Sequence, residues 1–482
     1  MARTRALTLA SLTAVALVGG TAAVGYTGGH DRNPSPTIDR HALGQVDAYA
    51  GARRVDGDQR ATIAKSLKAP GAKNVIVIIG DGMGASELTI GRNYLKGAGG
   101  ALAIDSLPIW GQMTHYSVDR QTGKPDYAPD SAATGTAWAT GVKTYDNAIS
   151  VDRHGKAYPT LLQLAKRSGR ATGNVTTSEI QDATPAVEVA NISLRKCYGP
   201  SETSKSCPEA ALENGGKGSI SEQLLETRPD VTFGGGSKTF AEKATAGAWK
   251  GKTLEQQARE RGFTYLTKKD DLAQVTAADQ RRPVLGLFSE GNMPVKFAPL
   301  LATKGGAEGA AKECTANPEF TKVPALGDMT TKAIDLLANN RAGQRKGFFL
   351  QVESASIDKK DHAADACGQI GETAQIDDAV KAALDFAKKD GNTLVIVTAD
   401  HAHTSQIVDD ATPGLDAKVR TADGSDMVIT YGTSPFGGSQ QHTGAQVPVV
   451  AYGPGAAQVA GLIDQTDLFF TMRDGMNAWK RH

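Results

Sequence analysis

The chain has 482 residues, 40% hydrophobic and 22% charged, enough for a large buried core in an ordinary globular protein. Lys and Arg number 53 against 52 Asp and Glu. With that balance no polyanion-binding surface is advertised, so nucleic-acid-binding modules and anionic-membrane binding are poor readings.

In chain order, Arg3 and Arg5 precede an uncharged stretch from Ala6 to Gly29 whose apolar centre is Leu7, Leu9, Leu12, Val15, Leu17 and Val18. Small residues follow at Thr21, Ala22 and Ala23. The pattern predicts a signal peptide over 1–29 and an exported protein, periplasmic or extracellular. An uncleaved membrane anchor is the competing reading, weakened by Gly19, Gly20 and Gly25. Residues 30–70 are polar, with Pro34 and Pro36 and a short helix expected around Asp58–Leu67, and read as an N-terminal arm.

From residue 71 onward, apolar runs alternate with helical periods. Strands are expected at Asn74–Ile79, Ala171–Val175, Val284–Phe288, Phe348–Val352, Leu394–Thr398 and Val447–Tyr452. Leu161, Leu162, Leu164 and Ala165 fit a helix that Gly169 stops, and Ile376, Val380, Ala383, Leu384 and Ala387 share one helical face. The alternation predicts an α/β fold with a central, mostly parallel sheet and helices on both faces, residues 71–482 forming one domain. Residues 405–440 lack clear periodicity and are expected to form a small inserted surface subdomain. The four cysteines, Cys197, Cys207, Cys314 and Cys367, suggest disulfides in an exported chain, with three pairings open.

The placement of Asp and His residues is the most informative feature. Asp81 follows the Asn74–Ile79 strand by two residues, Asp400 and His401 follow Leu394–Thr398 in the same way, and Glu353 ends Phe348–Val352. All would project from one edge of the sheet, where ligands of α/β proteins gather. Asp358 and His362 are four apart, on one face if the segment is helical. Such a mixture of oxygen and imidazole donors suits zinc, and oxygen-only subsets suit magnesium. His401, His403 and His442 fall late, in or beside loops.

Three glycine-rich segments invite other readings. Gly80–Ala85 has dinucleotide-fingerprint spacing, but Asp81 inside that turn would repel a pyrophosphate. Gly215–Ser219 does not match a P-loop, and Gly234-Gly235-Gly236 is expected to be a tight loop. A helix start at Asp130-Ser131-Ala132-Ala133 has two uses: either polar residue caps it, and a serine there also sits in positive potential suited to phosphate.

These stretches closely resemble the bacterial alkaline phosphatases of the two-zinc, one-magnesium type. The likeness runs from about Lys73 to about Asp474, through Ile-Gly-Asp-Gly-Met-Gly (79–84), Asp-Ser-Ala-Ala (130–133), Gln-Asp-Ala-Thr-Pro (181–185), Ser-Ile-Asp-Lys (356–359), Thr-Ala-Asp-His-Ala-His (398–403) and His-Thr-Gly (442–444). The resemblance implies hydrolysis of small phosphate monoesters through a phosphoserine on Ser131. It implies one zinc held by Asp81, Asp400 and His401, and a second by Asp358, His362 and His442. Magnesium would be held by Thr184, Glu353 and a bridging Asp81, with Asp182 holding a metal-bound water. Arg195 would clamp phosphate and Lys359 would reach it through water. The same likeness implies disulfides 197–207 and 314–367 and a homodimer. The chain departs from the family pattern at three places: Ser354 stands where Gly is usual, Thr134-Gly135 replaces small residues after the nucleophile, and Gln441 precedes His442 where an acid is common.

Overall fold

The computed structural model describes residues 34–47, 51–435 and 437–477. The signal segment expected over 1–29 lies outside the described residues. No helix among the described residues is long and apolar enough to cross a membrane.

The strands are β1 (Asn74–Gly80), β2 (Ile109–Thr114), a short hairpin of β3 (Ser117–Val118) and β4 (Pro125–Asp126), β5 (Ala171–Glu179), β6 (Val231–Gly235), β7 (Thr264–Leu266) and β8 (Val284–Leu287). They continue with β9 (Phe348–Ser354), β10 (Thr393–Ala399), β11 (Ser405–Val408), β12 (Leu415–Arg420), β13 (Asp426–Tyr431), β14 (Val447–Tyr452) and β15 (Gly461–Asp464). Ten of them form one sheet in the order β15-β2-β14-β10-β1-β9-β5-β6-β8-β7. β1 is paired in parallel with β10 on one side and β9 on the other, whereas β14 runs antiparallel to both β10 and β2. The centre of the sheet is β-branched and apolar because it is covered twice. Every residue of β1, β9 and β10 is buried, which requires helices on both faces.

The long helix Ala366–Asp390 packs over β1, β9 and β10, and Leu326–Asn339 packs beside it over β5 and β9. Ile376, Val380, Ala383, Leu384 and Ala387 are its buried stripe, and Gly391 ends it with a left-handed φ of 69°. A second group, Ser131–Thr140, Leu161–Arg167 and Gln465–Gly475, packs together. The helix at Arg60–Ser66 falls inside the expected arm, whose Ile38 and Ala42 N–H groups donate to the carbonyls of Ser106 and Gly99.

One local expectation is corrected. Gly234 and Gly235 belong to β6, not to a loop. A Cβ on Gly235 would fall 2.0 Å from the Gly291 carbonyl and one on Gly234 would fall 2.8 Å from Thr176 and Ile180, so close packing demands these glycines. Only Gly236, at φ 98°, turns the chain. The aperiodic segment after residue 405 contains β11, β13 and β12, paired antiparallel as a separate small sheet. Its buried Ala417, Val419, Ile429 and Tyr431 form a second core with Ile90 and Ile370.

Both disulfides are present, Cys197–Cys207 and Cys314–Cys367. Spanning 10 and 53 positions, they restrict the unfolded chain by about 3 and about 4 kcal/mol on the loop-entropy model.

Candidate active site

Four adjacent strands, β10, β1, β9 and β5, end side by side. Their parallel register brings Asp81 (after β1), Asp400 and His401 (after β10) and Glu353 (the penultimate residue of β9) to one edge, all at most 2% exposed. The helix Ser356–His362 then carries Asp358 and His362 on one face, and Asp358 is tied back to β1 by its N–H on the Asp81 carbonyl at 2.9 Å. Ser131 is the first residue of helix Ser131–Thr140, capped by the Asp130 carboxylate on Ala133 N–H at 3.0 Å. Asp130 therefore takes the capping role and leaves the Ser131 hydroxyl unused by the helix.

That hydroxyl lies 3.4 Å from Asp81 Oδ1 and 3.3 Å from His401 Nε2, with Ser131 only 3% exposed. Asp81, Asp400 and His401 present ligand atoms within 4.8 Å of one another, and so do Asp358, His362, His403 and His442. Asp358 Oδ1 is the hub of the second group, 3.3, 3.2 and 3.1 Å from Nε2 of His362, His403 and His442.

The imidazoles divide by what their other nitrogen does. Nδ1 of His362 donates to the Gln440 carbonyl, Nδ1 of His442 to the Pro129 carbonyl at 2.7 Å, and Nδ1 of His401 to the Ala402 carbonyl at 3.3 Å. Each thus presents an Nε2 lone pair to the site. His362 and His442 bring those nitrogens within 3.2 Å of each other, a spacing that a shared proton or a bound metal ion would satisfy. His403 is the opposite tautomer: its Nδ1 accepts from Thr404 N–H at 2.9 Å, which leaves the proton on Nε2, 3.2 Å from Asp358 Oδ1. Sequence reasoning had placed His403 only as a late loop histidine, because a tautomer cannot be read from spacing.

Charge crowding points the same way. Burial, followed by Asp400 and Asp358, pushes the Asp81 carboxyl well above its ordinary value, and Lys359 offsets only part of this. Burial raises Glu353 to about 7 although Lys359, Thr176 and Thr184 favour its charged form. Thr176 donates to Glu353, and Ser178 Oγ lies 3.3 Å from the same oxygen. Several buried acids without enough protein cations are the donor set that divalent metals complete. The residues present fit such ions.

A different network lies beside this one. Arg195 donates to Asp130 at 3.1 Å and to Asp182 at 2.7 Å, while Lys359 donates to the other oxygen of Asp182 at 2.8 Å. Burial would raise the Asp182 carboxyl, but Lys359 and Arg195 overcome it and hold the group far below the carboxylate range. The Tyr198 hydroxyl also donates to Asp182, at 2.9 Å. Tyr198 carries no motif signal, and its part in the site emerges only once Asp182 is located. Asp182 thus has its oxygens engaged by protein donors, and it is absent from both imidazole-containing clusters.

The departures from the family pattern are accommodated. Ser354 Oγ bonds Glu372 at 3.1 Å while its carbonyl accepts the Asp81 N–H at 3.0 Å. Gly135 sits where a Cβ would come within 2.9 Å of Val187. Gln441 bonds the Ser439 carbonyl at 2.7 Å.

Comparison with known proteins agrees with this geometry. The alkaline phosphatase family model matches residues 72–437. The alkaline phosphatase of Escherichia coli (strain K12) is 58% identical over 440 residues, covering 90% of this chain and 92% of that protein. Alkaline phosphatase H of Pseudomonas aeruginosa (strain UCBPP-PA14) is 55% identical over 452 residues, covering 92% and 94%. Among solved structures, the alkaline phosphatase from the Antarctic bacterium TAB5 superposes with a TM-score of 0.63 at 25% identity, covering 85% of this chain and 100% of that one. Fold, site geometry and these likenesses converge: the chain belongs to the alkaline phosphatase family.

Proposed function

We propose that this alkaline phosphatase cleaves phosphate monoesters through a phosphoserine on Ser131. The observation that carries the reading is the buried Ser131 hydroxyl, 3.4 Å from Asp81 and 3.3 Å from His401, at a helix start beside Arg195. In the first step Ser131 Oγ bonds to phosphorus and the ester oxygen departs with its alcohol. In the second, water bonds to phosphorus from the vacated side and the Oγ–P bond breaks, releasing inorganic phosphate. Arg195 suits the non-bridging oxygens because its planar fork matches two of them, and the positive end of helix Ser131–Thr140 adds to that field. From its seat on Asp182, Lys359 would contact phosphate through water.

In this reading Asp81, Asp400 and His401 hold one zinc, Asp358, His362 and His442 a second, and Asp81, Thr184 and Glu353 one magnesium, with Asp182 ordering a water next to it. When bound, such ions supply Lewis-acid stabilisation of the attacking and leaving oxygens. Because that stabilisation does not depend on the alcohol's identity, the enzyme is expected to accept many small monoesters. Rapid acid quenching of enzyme mixed with a phosphate monoester, followed by peptide mass spectrometry, tests the intermediate. Phosphate on the Ser131 peptide is the expected result, and turnover with no phosphopeptide at any pH would overturn the reading. Metal content per chain, measured by atomic emission, tests the stoichiometry.

We also propose export as a homodimer. The signal-like segment 1–29 and the two disulfides support export. Size-exclusion chromatography with light scattering on the purified protein tests the dimer, with the arm at 30–70 as the segment to truncate.

A further inference from the structure

Asp182 accepts more donors than a counter-ion for two cations requires. Its Oδ1 takes Arg195 Nη2 at 2.7 Å, the Tyr198 hydroxyl at 2.9 Å and the Ala183 N–H at 2.8 Å, leaving Oδ2 to Lys359. The tyrosine is the one neutral side chain in this set, and the way it is held is informative. Its neighbour Cys197 is locked to Cys207. The carbonyls of Cys197 and Tyr198 accept the N–H groups of Ile220 and Ser221 at 3.1 and 3.0 Å, and Ser221 Oγ bonds the Tyr198 carbonyl again at 2.8 Å. Ile220 and Ser221 open the helix Ile220–Thr227, so its first donors, which no intrahelical carbonyl can reach, are spent on anchoring this loop. Arg195, three residues upstream, is fixed in turn by its N–H on the Asn147 carbonyl at 2.7 Å. Tyr198 is therefore a stiff ring on a main chain pinned from two sides, with its only polar atom on Asp182.

We propose that Tyr198 is a positioning residue for phosphate recognition: its hydroxyl holds the Asp182 carboxylate in the one orientation that shares it between Arg195 and Lys359. A carboxylate free to rotate would swing both oxygens onto the guanidinium, the geometry that carboxylate–arginine pairs favour, and draw its fork away from Ser131. By occupying Oδ1 from an anchored loop, Tyr198 blocks that rotation before substrate arrives, so the clamp is already assembled. The inference rests on the reading of Arg195 as the phosphate clamp.

Tyr198→Phe keeps the ring and removes a single hydrogen bond. The measurement is competitive inhibition by inorganic phosphate, with kcat/KM alongside, in the wild type, Tyr198→Phe, Asp182→Asn and the double variant, each with its metal content determined. Tyr198→Phe is expected to raise the phosphate inhibition constant about tenfold, the scale of one hydrogen bond to a charged group, with metal content as in the wild type. In the Asp182→Asn background the same change is expected to add nothing, because Tyr198 acts through that carboxylate. Unchanged phosphate affinity in Tyr198→Phe, an equal loss in both backgrounds, or a loss that tracks missing metal would each overturn the proposal. Arg195→Ala separates the two levels. If it leaves phosphate affinity intact, the clamp reading itself fails. If it weakens phosphate while Tyr198→Phe does not, only the role of Tyr198 falls.

Discussion

Asp81 and Asp182 are both buried carboxylates just beyond the ends of β1 and β5, two strands separated only by β9, yet their surroundings push them in opposite directions. Asp182 is matched by Arg195, Lys359 and Tyr198 and is driven far below its ordinary range. Asp81 lies among Asp400, Asp358 and Glu353, and is driven well above it. One half of the site is neutralised by the chain's own cations. The other half is a cage of acids and imidazole lone pairs whose neutralisation must come from solution. On the proposed function the difference divides the groups that would bind substrate from those that would bind metal, and it makes the two separable by experiment.

Ser131 stands between the two halves, so its removal should have the largest effect. Ser131→Ala is expected to lower turnover on the order of 10⁴-fold or more, with metal content and thermal unfolding close to the wild type. Retained phosphorylation of the variant protein would break the assignment. Chelation attacks only the cage. It is expected to abolish activity and to lower Tm by about 5–15 °C, the loss of a ligand bound well above its dissociation constant. Asp81→Asn should reduce more than one metal per chain by atomic emission, since its carboxylate faces both Asp400 and Glu353.

The clamp is probed separately. Arg195→Ala is expected to lower kcat/KM by about 10²–10³-fold and to weaken inhibition by phosphate while leaving the metals in place. Loss of metal with Arg195 would show the two halves to be coupled.

Glu188 provides the smallest and sharpest contrast, a buried acid served by neither strategy. One oxygen accepts the Leu162 N–H at 2.9 Å, the other makes no hydrogen bond, and burial raises the group to about 8 from an ordinary 4.5. A raised carboxyl binds its proton more tightly in the folded state. Stability from this residue is therefore intact below pH 4.5 and is lost as pH climbs toward about 8. Glu188→Gln should match the wild type at pH 4 and unfold about 3 °C higher at pH 9, read by thermal scans across that range. A pH-independent difference would mean that burial of this charge is relieved in some other way.

Much of the cage was legible before the fold was known. Strands such as Asn74–Ile79 and Leu394–Thr398 are marked by unbroken β-branched runs, and the first acid after each one must emerge at the same edge if the strands are parallel. The four-residue spacing of Asp358 and His362 needed only a helix, and Ser356–His362 is one. Other features were hidden for physical reasons. β2 and β6 were missed: β2 mixes exposed and buried positions, and β6 ends in glycines that mimic a turn. The small sheet of β11, β12 and β13 was missed because short segments broken by Gly and Pro carry little periodicity.

By itself, the order of residues determined the alternation of strands and helices, the set of acids and histidines available to a metal, and the serine at a helix start, since each depends on contacts within a few positions along the chain. Tertiary structure alone decided that β14 runs against its neighbours, that His403 is the opposite tautomer to His362 and His442, and that Tyr198 meets Asp182. Those outcomes depend on which distant carbonyl or carboxylate a side chain meets, and such meetings exist only after the sheet has brought far-separated segments together.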